Sequence, residues 1–173
     1  MKSWNGIVKI LEITHTSAKG DILWKQRNLL NLFHTQGEEF ILKSVFLGGK
    51  ANNSYIPNSF YFGLDNRSTL ALGDNLTLIA SSEPVSNGYS RQSVASTNQF
   101  VASISGGVNQ VLSPIITFSA LGGSWGPVRN LFMATTAGAD GYLISSVSLD
   151  QPILLNNAEN LSLRMGMSLH DCP

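Results

Sequence analysis

The chain has 173 residues, eleven basic and eleven acidic side chains, and only 13% charged residues. That length suits one domain able to bury roughly 70% of its unfolded surface, and the sparse, balanced charge excludes both the basic stripe that tracks phosphates and a polybasic membrane patch. Polarity comes instead from 22 Ser and 15 Asn, uncharged groups that cost less than Lys or Glu to desolvate against a protein neighbour.

In chain order, Trp4 and Asn5 interrupt the apolar stretch a signal peptide needs, and no apolar run approaches the ~20 residues of a membrane span, so the expectation is a soluble protein made without secretion. "GIVKILEI" at 6–13 is apolar and β-branched on both faces, and "DILWKQ" follows the turn-like "THTSAKG". The pair predicts an N-terminal hairpin carrying Trp24. Residues 35–47 predict the one clear helix. Thr35 and Glu38 have capping-box spacing, Glu39 and Lys43 stand at i,i+4, and Gly48-Gly49 stops the run. Its Phe40, Ile41, Val45 and Phe46 are expected to form a single apolar stripe.

"FYFGL" at 60–64 predicts a short strand ending at Asp65-Asn66, and "GDNLTLIAS" fits a short helix or a strand. In "SNGYSRQSVAS" the Asn87-Gly88 pair supplies a positive-φ turn, followed by a strand on which Tyr89, Arg91 and Ser93 alternate with Ser90, Gln92 and Val94. Arg91 is expected to hold Glu83 or Asp65. Further on come "FVASIS", "VLSPIITFSA", "VRNLFMAT", "GYLISSVSL", "PILL" and "LSLRMGMSL", a spacing of short strands and turn signals typical of a sandwich or barrel. In the last of them Leu161, Leu163, Met165, Met167 and Leu169 share one face. The fold expected is mainly β, an antiparallel β-sandwich or jelly-roll-like barrel with an N-terminal hairpin and one short helix. Residues 1–34 form the hairpin arm, packing on the core or a neighbour, and 35–173 form the sandwich, within a single domain.

The residue clusters that chemistry needs are sparse. His15, His34 and His170 are far apart, without HxxxH or HExxH spacing, and are read as exposed or capping side chains. "GGSWG" at 122–126 lacks the strand–turn–helix context of a nucleophile elbow, and Gly48-Gly49-Lys50 lacks the rest of a phosphate loop. The lone Cys172 permits neither an intrachain disulfide nor a cysteine zinc cluster. Trp4, Trp24, Trp125 and the tyrosines leave a sugar-stacking platform open as a rival to structural packing. "HDC" at 170–172 reads as a docking tail.

With these residues in hand, "EPVSNGYSRQSV" at 83–94 together with the segment from "ITFSALGGSWGPV" to "NLSLRMG" at 116–166 resembles a widespread group of tailed-bacteriophage virion structural proteins. The shared pattern falls on Gly88, Tyr89, Arg91 and Gln92, then Phe118, Trp125, Gly126 and Val128, then Gly141, Leu143 and Ile144, and last Asn160-Leu161. Ser90 stands where that group usually has Ala. The resemblance implies a non-enzymatic part of a phage particle, assembled in the host bacterial cytoplasm and localised to the virion. Within it, a capsid decoration or cement protein bridging major capsid protein subunits leads, ahead of a tail-tip, neck or fibre-base component or a receptor- or glycan-binding module. The partners implied are the major capsid protein or other virion proteins and further copies of this chain, with no cofactor, metal, nucleic acid or membrane. Candidate interface residues are Trp4, Trp24, Trp125, Tyr89, Arg91 and His170.

Overall fold

The computed structural model describes residues 4–47 and 56–171, with side-chain surroundings described for residues 8–46 and 56–168. The strands are β1 (Trp4–Thr16), β2 (Ile22–Leu30), β3 (Leu32–Phe33), β4 (Ser59–Asp65), β5 (Gln92–Ala95), β6 (Val101–Ser105), β7 (Val108–Leu112), β8 (Ile116–Ser119), β9 (Trp125–Ala134), β10 (Leu143–Leu155) and β11 (Asn160–Asp171). Two helices, α1 (Thr35–Leu42) and α2 (Leu76–Ala80), interrupt them, and a π-helical turn, Lys43–Leu47, extends α1. All pairings are antiparallel and form two sheets. The first runs β2-β1-β11-β7-β6, with β8 also on β11, and the second runs β3-β10-β9-β4-β5. The architecture is an open sandwich, not the closed barrel that the strand spacing also allowed.

The expected hairpin is β1–β2, and β1 lies inside its sheet, paired from Trp4↔Asp171 to Thr16↔Asn160 with the last strand. Its sequence is apolar on both faces for a local reason. The register slips between Ile10 and Glu12, placing an extra residue on β1, and such a bulge reverses which side chains face inward. Val8 and Ile10 are buried before it, Ile13 and His15 after it. On β11 the expected alternation holds where side chains are described: Leu161, Leu163 and Met165 are buried, and Met167 packs against the core while half-buried.

The second half of β9 and the first half of β10 do not alternate, since nearly every residue there is buried. The second sheet is covered twice. Its inner face meets the first sheet, while Phe132, Ala134 and Leu143 pack on its outer face with Leu76 and Ile79 of α2. The ambiguous "GDNLTLIAS" is thus helical, started by Asn75, whose side chain accepts from the Leu78 N–H at 2.9 Å.

Other boundaries differ from expectation. The α1 N-cap is His34, not Thr35, and makes no side-chain cap bond, so no capping box forms. The Glu39–Lys43 pair does form, at 2.5 Å. Of the proposed stripe only Phe40 is buried and Ile41 half-buried, whereas Val45 and Phe46 are exposed, because the π-helical turn changes the angular step and swings them off the packed face. "VLSPIITFSA" is two strands, β7 and β8, divided at Ser113-Pro114, where proline cannot continue the ladder. "GYLISSVSL" and "PILL" are one strand, β10, because Pro152 is tolerated at a register irregularity between Ser148 and Ile153.

Candidate functional site

The described residues hold three polar knots and one apolar cleft, and the knots take up Tyr89, Arg91, Trp125 and His34. The first knot is built by the loop before β5. Asn87 and Gly88 take φ of 57° and 72°, the left-handed pair the sequence called for, and the strand itself starts at Gln92, so Tyr89 and Arg91 remain loop residues. The turn aims both inward at Glu83. Arg91 donates through Nε at 3.1 Å to each Glu83 carboxylate oxygen and through Nη2 at 2.6 Å to Oε1. Its Nη1 donates to the carbonyls of Thr136 at 2.9 Å and Gly138 at 2.6 Å. The guanidinium also lies 5.0 Å from the centre of the Phe132 ring.

Tyr89 donates its hydroxyl to Glu83 at 2.6 Å and accepts the Leu64 N–H at 2.8 Å. Burial, then the adjacent Glu83 charge, push its pKa above the ordinary phenol range, so the hydroxyl stays a donor. Trp125 packs edge-on against Tyr89 with ring centres 5.4 Å apart, and its indole N–H is shared between the Ser86 and Asn87 carbonyls at 3.1 Å each. Trp125 is 3% exposed and the Arg91 side chain 4%. Expected as interface anchors, Arg91 and Trp125 lie within the chain's own fold and offer almost no surface to a partner, and Tyr89 is half-buried against the core. A sugar-stacking platform cannot include Trp125 in this position.

The second knot centres on Asp65, which is fully buried. Arg67 Nε donates to both of its carboxylate oxygens at 3.1–3.2 Å, Ser82 donates to Oδ1 at 2.5 Å, and Asn130 Nδ2 donates to Oδ2 at 3.0 Å. Arg67 reaches on to Asp74 at 3.1 Å. Burial alone would raise Asp74, but the Ala71 N–H and Arg67 outweigh it and hold the carboxyl below its ordinary value. In the third knot, His34 is fully buried, with Nδ1 3.2 Å from the Leu72 carbonyl and Nε2 2.6 Å from the Ser146 hydroxyl. A carbonyl only accepts, so Nδ1 carries the proton and Nε2 accepts from Ser146. Burial lowers the His34 pKa, only partly offset by the Leu72 carbonyl and Asp74. His15, also buried, bonds Glu159 at 2.8 Å. Neither histidine is exposed as expected, and although His34 stands at the N-cap of α1, its ring makes no cap bond. What hid them was the β1 bulge and the β3–α1 corner, neither of which leaves a mark in residue spacing.

Trp24 is half-buried and packs against the core. Trp4 and His170 occupy paired backbone positions opposite Asp171 and Asn5, and their side chains fall outside the described residues. Among the described residues no three His, Cys, Asp or Glu side chains converge as a metal would require, and no helix is long and apolar enough to cross a membrane.

The feature sequence reasoning missed is a cleft of about 500 Å³ where the two sheets part. Phe33, Phe40 and Phe60 wall one side, and Val111, Ala102 and Met167 line the other. Phe40 and Phe60 meet edge-on at 5.9 Å, and Phe60 meets Phe100 likewise at 5.8 Å, which fixes that wall. None of the lining side chains is ionisable. The cleft exists because β7 and β6 continue the first sheet past the second, leaving Ile104 71% and Val111 38% exposed. No protein-family model matches the chain, and no curated protein matches it.

Proposed function

We propose that this chain is a non-enzymatic structural protein of a tailed-phage particle, a capsid decoration protein that adds contact area between neighbouring capsid subunits. The observation that carries the reading is how the side chains are divided between inside and outside. Arg91, Glu83, Asp65, Arg67 and His34, the groups best suited to chemistry, are consumed by internal bonds. The segment 92–128 holds no Asp, Glu, Lys, Arg or His, and its Val101, Ile104, Ile115 and Leu121 are exposed. Such uncharged exposed surface suits protein contact, where charges at the centre of an interface are depleted because they are costly to desolvate. The order of motifs from Gly88 to Leu161, similar to that of tailed-phage virion proteins, supplies the kind of particle. A decoration protein that binds only the assembled lattice stabilises it by mass action.

Quantitative gel analysis of purified particles tests this. Hundreds of copies per particle, retained on tailless heads, are expected. A handful of copies lost with the tails would move the protein to the tail tip, neck or fibre base. Absence from particles would remove the reading altogether.

A further inference from the structure

We propose that two copies of this chain join edge to edge through β6, in antiparallel register about a two-fold axis at Ser103, so that the first sheet runs on from one protomer into the next. This goes beyond the virion reading and does not depend on it.

Among the described residues five strands end the sheets on a free edge, and four are guarded: β8, paired only with β11, is four residues long with Ile116 and Phe118 buried. β2 carries Lys25 and Arg27, with Asn28 at a φ of 55° breaking its line. β3 is two residues long, and β5 is four with its Val94 buried. Charge, irregularity and shortness are the usual means by which an edge is kept from pairing with another chain. β6, "VASIS", carries neither charge nor proline nor irregularity: among the described residues its only ladder partner is β7, and its Val101 and Ile104 stand exposed. An uncharged strand can also meet its own copy without like charges coming opposite one another.

Face geometry adds an independent argument. Met167 packs toward the core, Val111 is its partner on β7, and Ala102 is the partner of Val111 on β6. Cross-strand partners share a face, so Ala102 and, two residues on, Ile104 face the inner side that the second sheet leaves uncovered. A two-fold axis normal to the sheet reverses strand direction and preserves the face. With Ser103 opposite Ser103, Ile104 of each protomer comes to lie beside Ala102 of the other, on the inner side. The two clefts then open onto one shared apolar layer, and the most exposed apolar side chain on β6 gains cover.

The test uses the full chain. Sedimentation at micromolar concentration is expected to show a dimer, and both Ile104→Lys and Ala102→Pro, which removes an N–H pointing out of the free edge, are expected to give monomers with an unchanged far-UV circular-dichroism spectrum. A wild-type monomer, or a dimer that survives both substitutions, overturns the proposal. Register is read separately in a Cys172→Ser background. Ser103→Cys is expected to cross-link under mild oxidation, because directly opposed residues lie within disulfide reach, whereas Val101→Cys is not. Failure of Ser103→Cys to cross-link, or equal cross-linking at 101, also overturns it. So does a monomer whose melting temperature rises with added dodecanol, which would make the cleft a small-ligand site instead.

Discussion

Glu83 answers to two residues six and eight positions later, and that sharing sets what each substitution costs. Tyr89→Phe removes the hydroxyl that both donates to Glu83 and satisfies the buried Leu64 N–H. An orphaned buried donor costs about 1–3 kcal/mol, expected as a lowered urea midpoint with an unchanged slope. Arg91→Ala leaves Glu83 without its cation and frees two loop carbonyls. Breaking such a buried pair from one side costs about 3–5 kcal/mol. Because both act on one carboxylate, the double variant should lose less than the sum; strict additivity would show that the knot is not a unit.

His34 gives the fold a pH dependence of definite sign. Its pKa lies below the ordinary 6.5 in the folded chain because burial disfavours the imidazolium. Above 6.5 the ring is neutral whether folded or unfolded and titration contributes nothing. As pH falls below 6.5 the unfolded chain takes up a proton that the folded one refuses, so stability declines. Asp74 and Glu159, held below 3.8 and 4.5 respectively, add their losses only when pH falls beneath those values. Melting temperature measured between pH 7 and pH 5 should therefore fall in the wild type and fall less in His34→Gln, which keeps a donor and an acceptor but does not titrate there. Equal slopes in the two proteins would show that His34 is not the group responsible.

At the scale of elements, legibility followed periodicity and failed where a neighbour changed the environment. β11 was readable because one face of it is covered and the other is not, so Leu161, Leu163 and Met165 keep a period of two. β9 was readable as a strand from its β-branched and aromatic residues, but its burial was not, since α2 adds a second cover. The Glu83–Arg91 pair was foreseeable from one strong donor near one acid. The cleft was not, because it arises from the overhang of one sheet past another, a relation between strands remote in the chain. Gly63 shows the same limit: nothing nearby in sequence explains it, yet it stands opposite Phe132 across the β4–β9 ladder, and a Cβ there would fall inside the Phe132 ring. Gly63→Ala is therefore expected to cost about 1–3 kcal/mol through overpacking. Adding Phe132→Leu to make room should recover part of that loss, although the cavity left by the ring limits the recovery. Stability of the single and double variants by denaturant unfolding decides it, and a double variant weaker than the sum of the two singles would refute the steric account.

For the whole molecule the decisive pairing is between its first and last long strands. β1 lies between β2 and β11, its ladder to β11 running nearly its full length, and it sends Val8, Ile10 and Ile13 into the core shared with the second sheet. The hairpin arm is thus a structural layer of the sandwich. Removing it strips four buried apolar side chains, Val8, Ile10, Ile13 and Leu29, each worth about 1.5–3 kcal/mol of burial, and exposes a long apolar edge on β11. Since domains of this kind are stable by only about 5–15 kcal/mol, a chain starting at Thr35 is expected to lose cooperative unfolding and to aggregate. Supplying residues 1–34 as a separate peptide should restore a cooperative melt, because the missing strand can return to its place between β11 and solvent. Calorimetry of the truncated chain with and without the peptide distinguishes the outcomes, and a sharp thermal transition in the truncated chain alone would show that residues 35–173 fold without the arm.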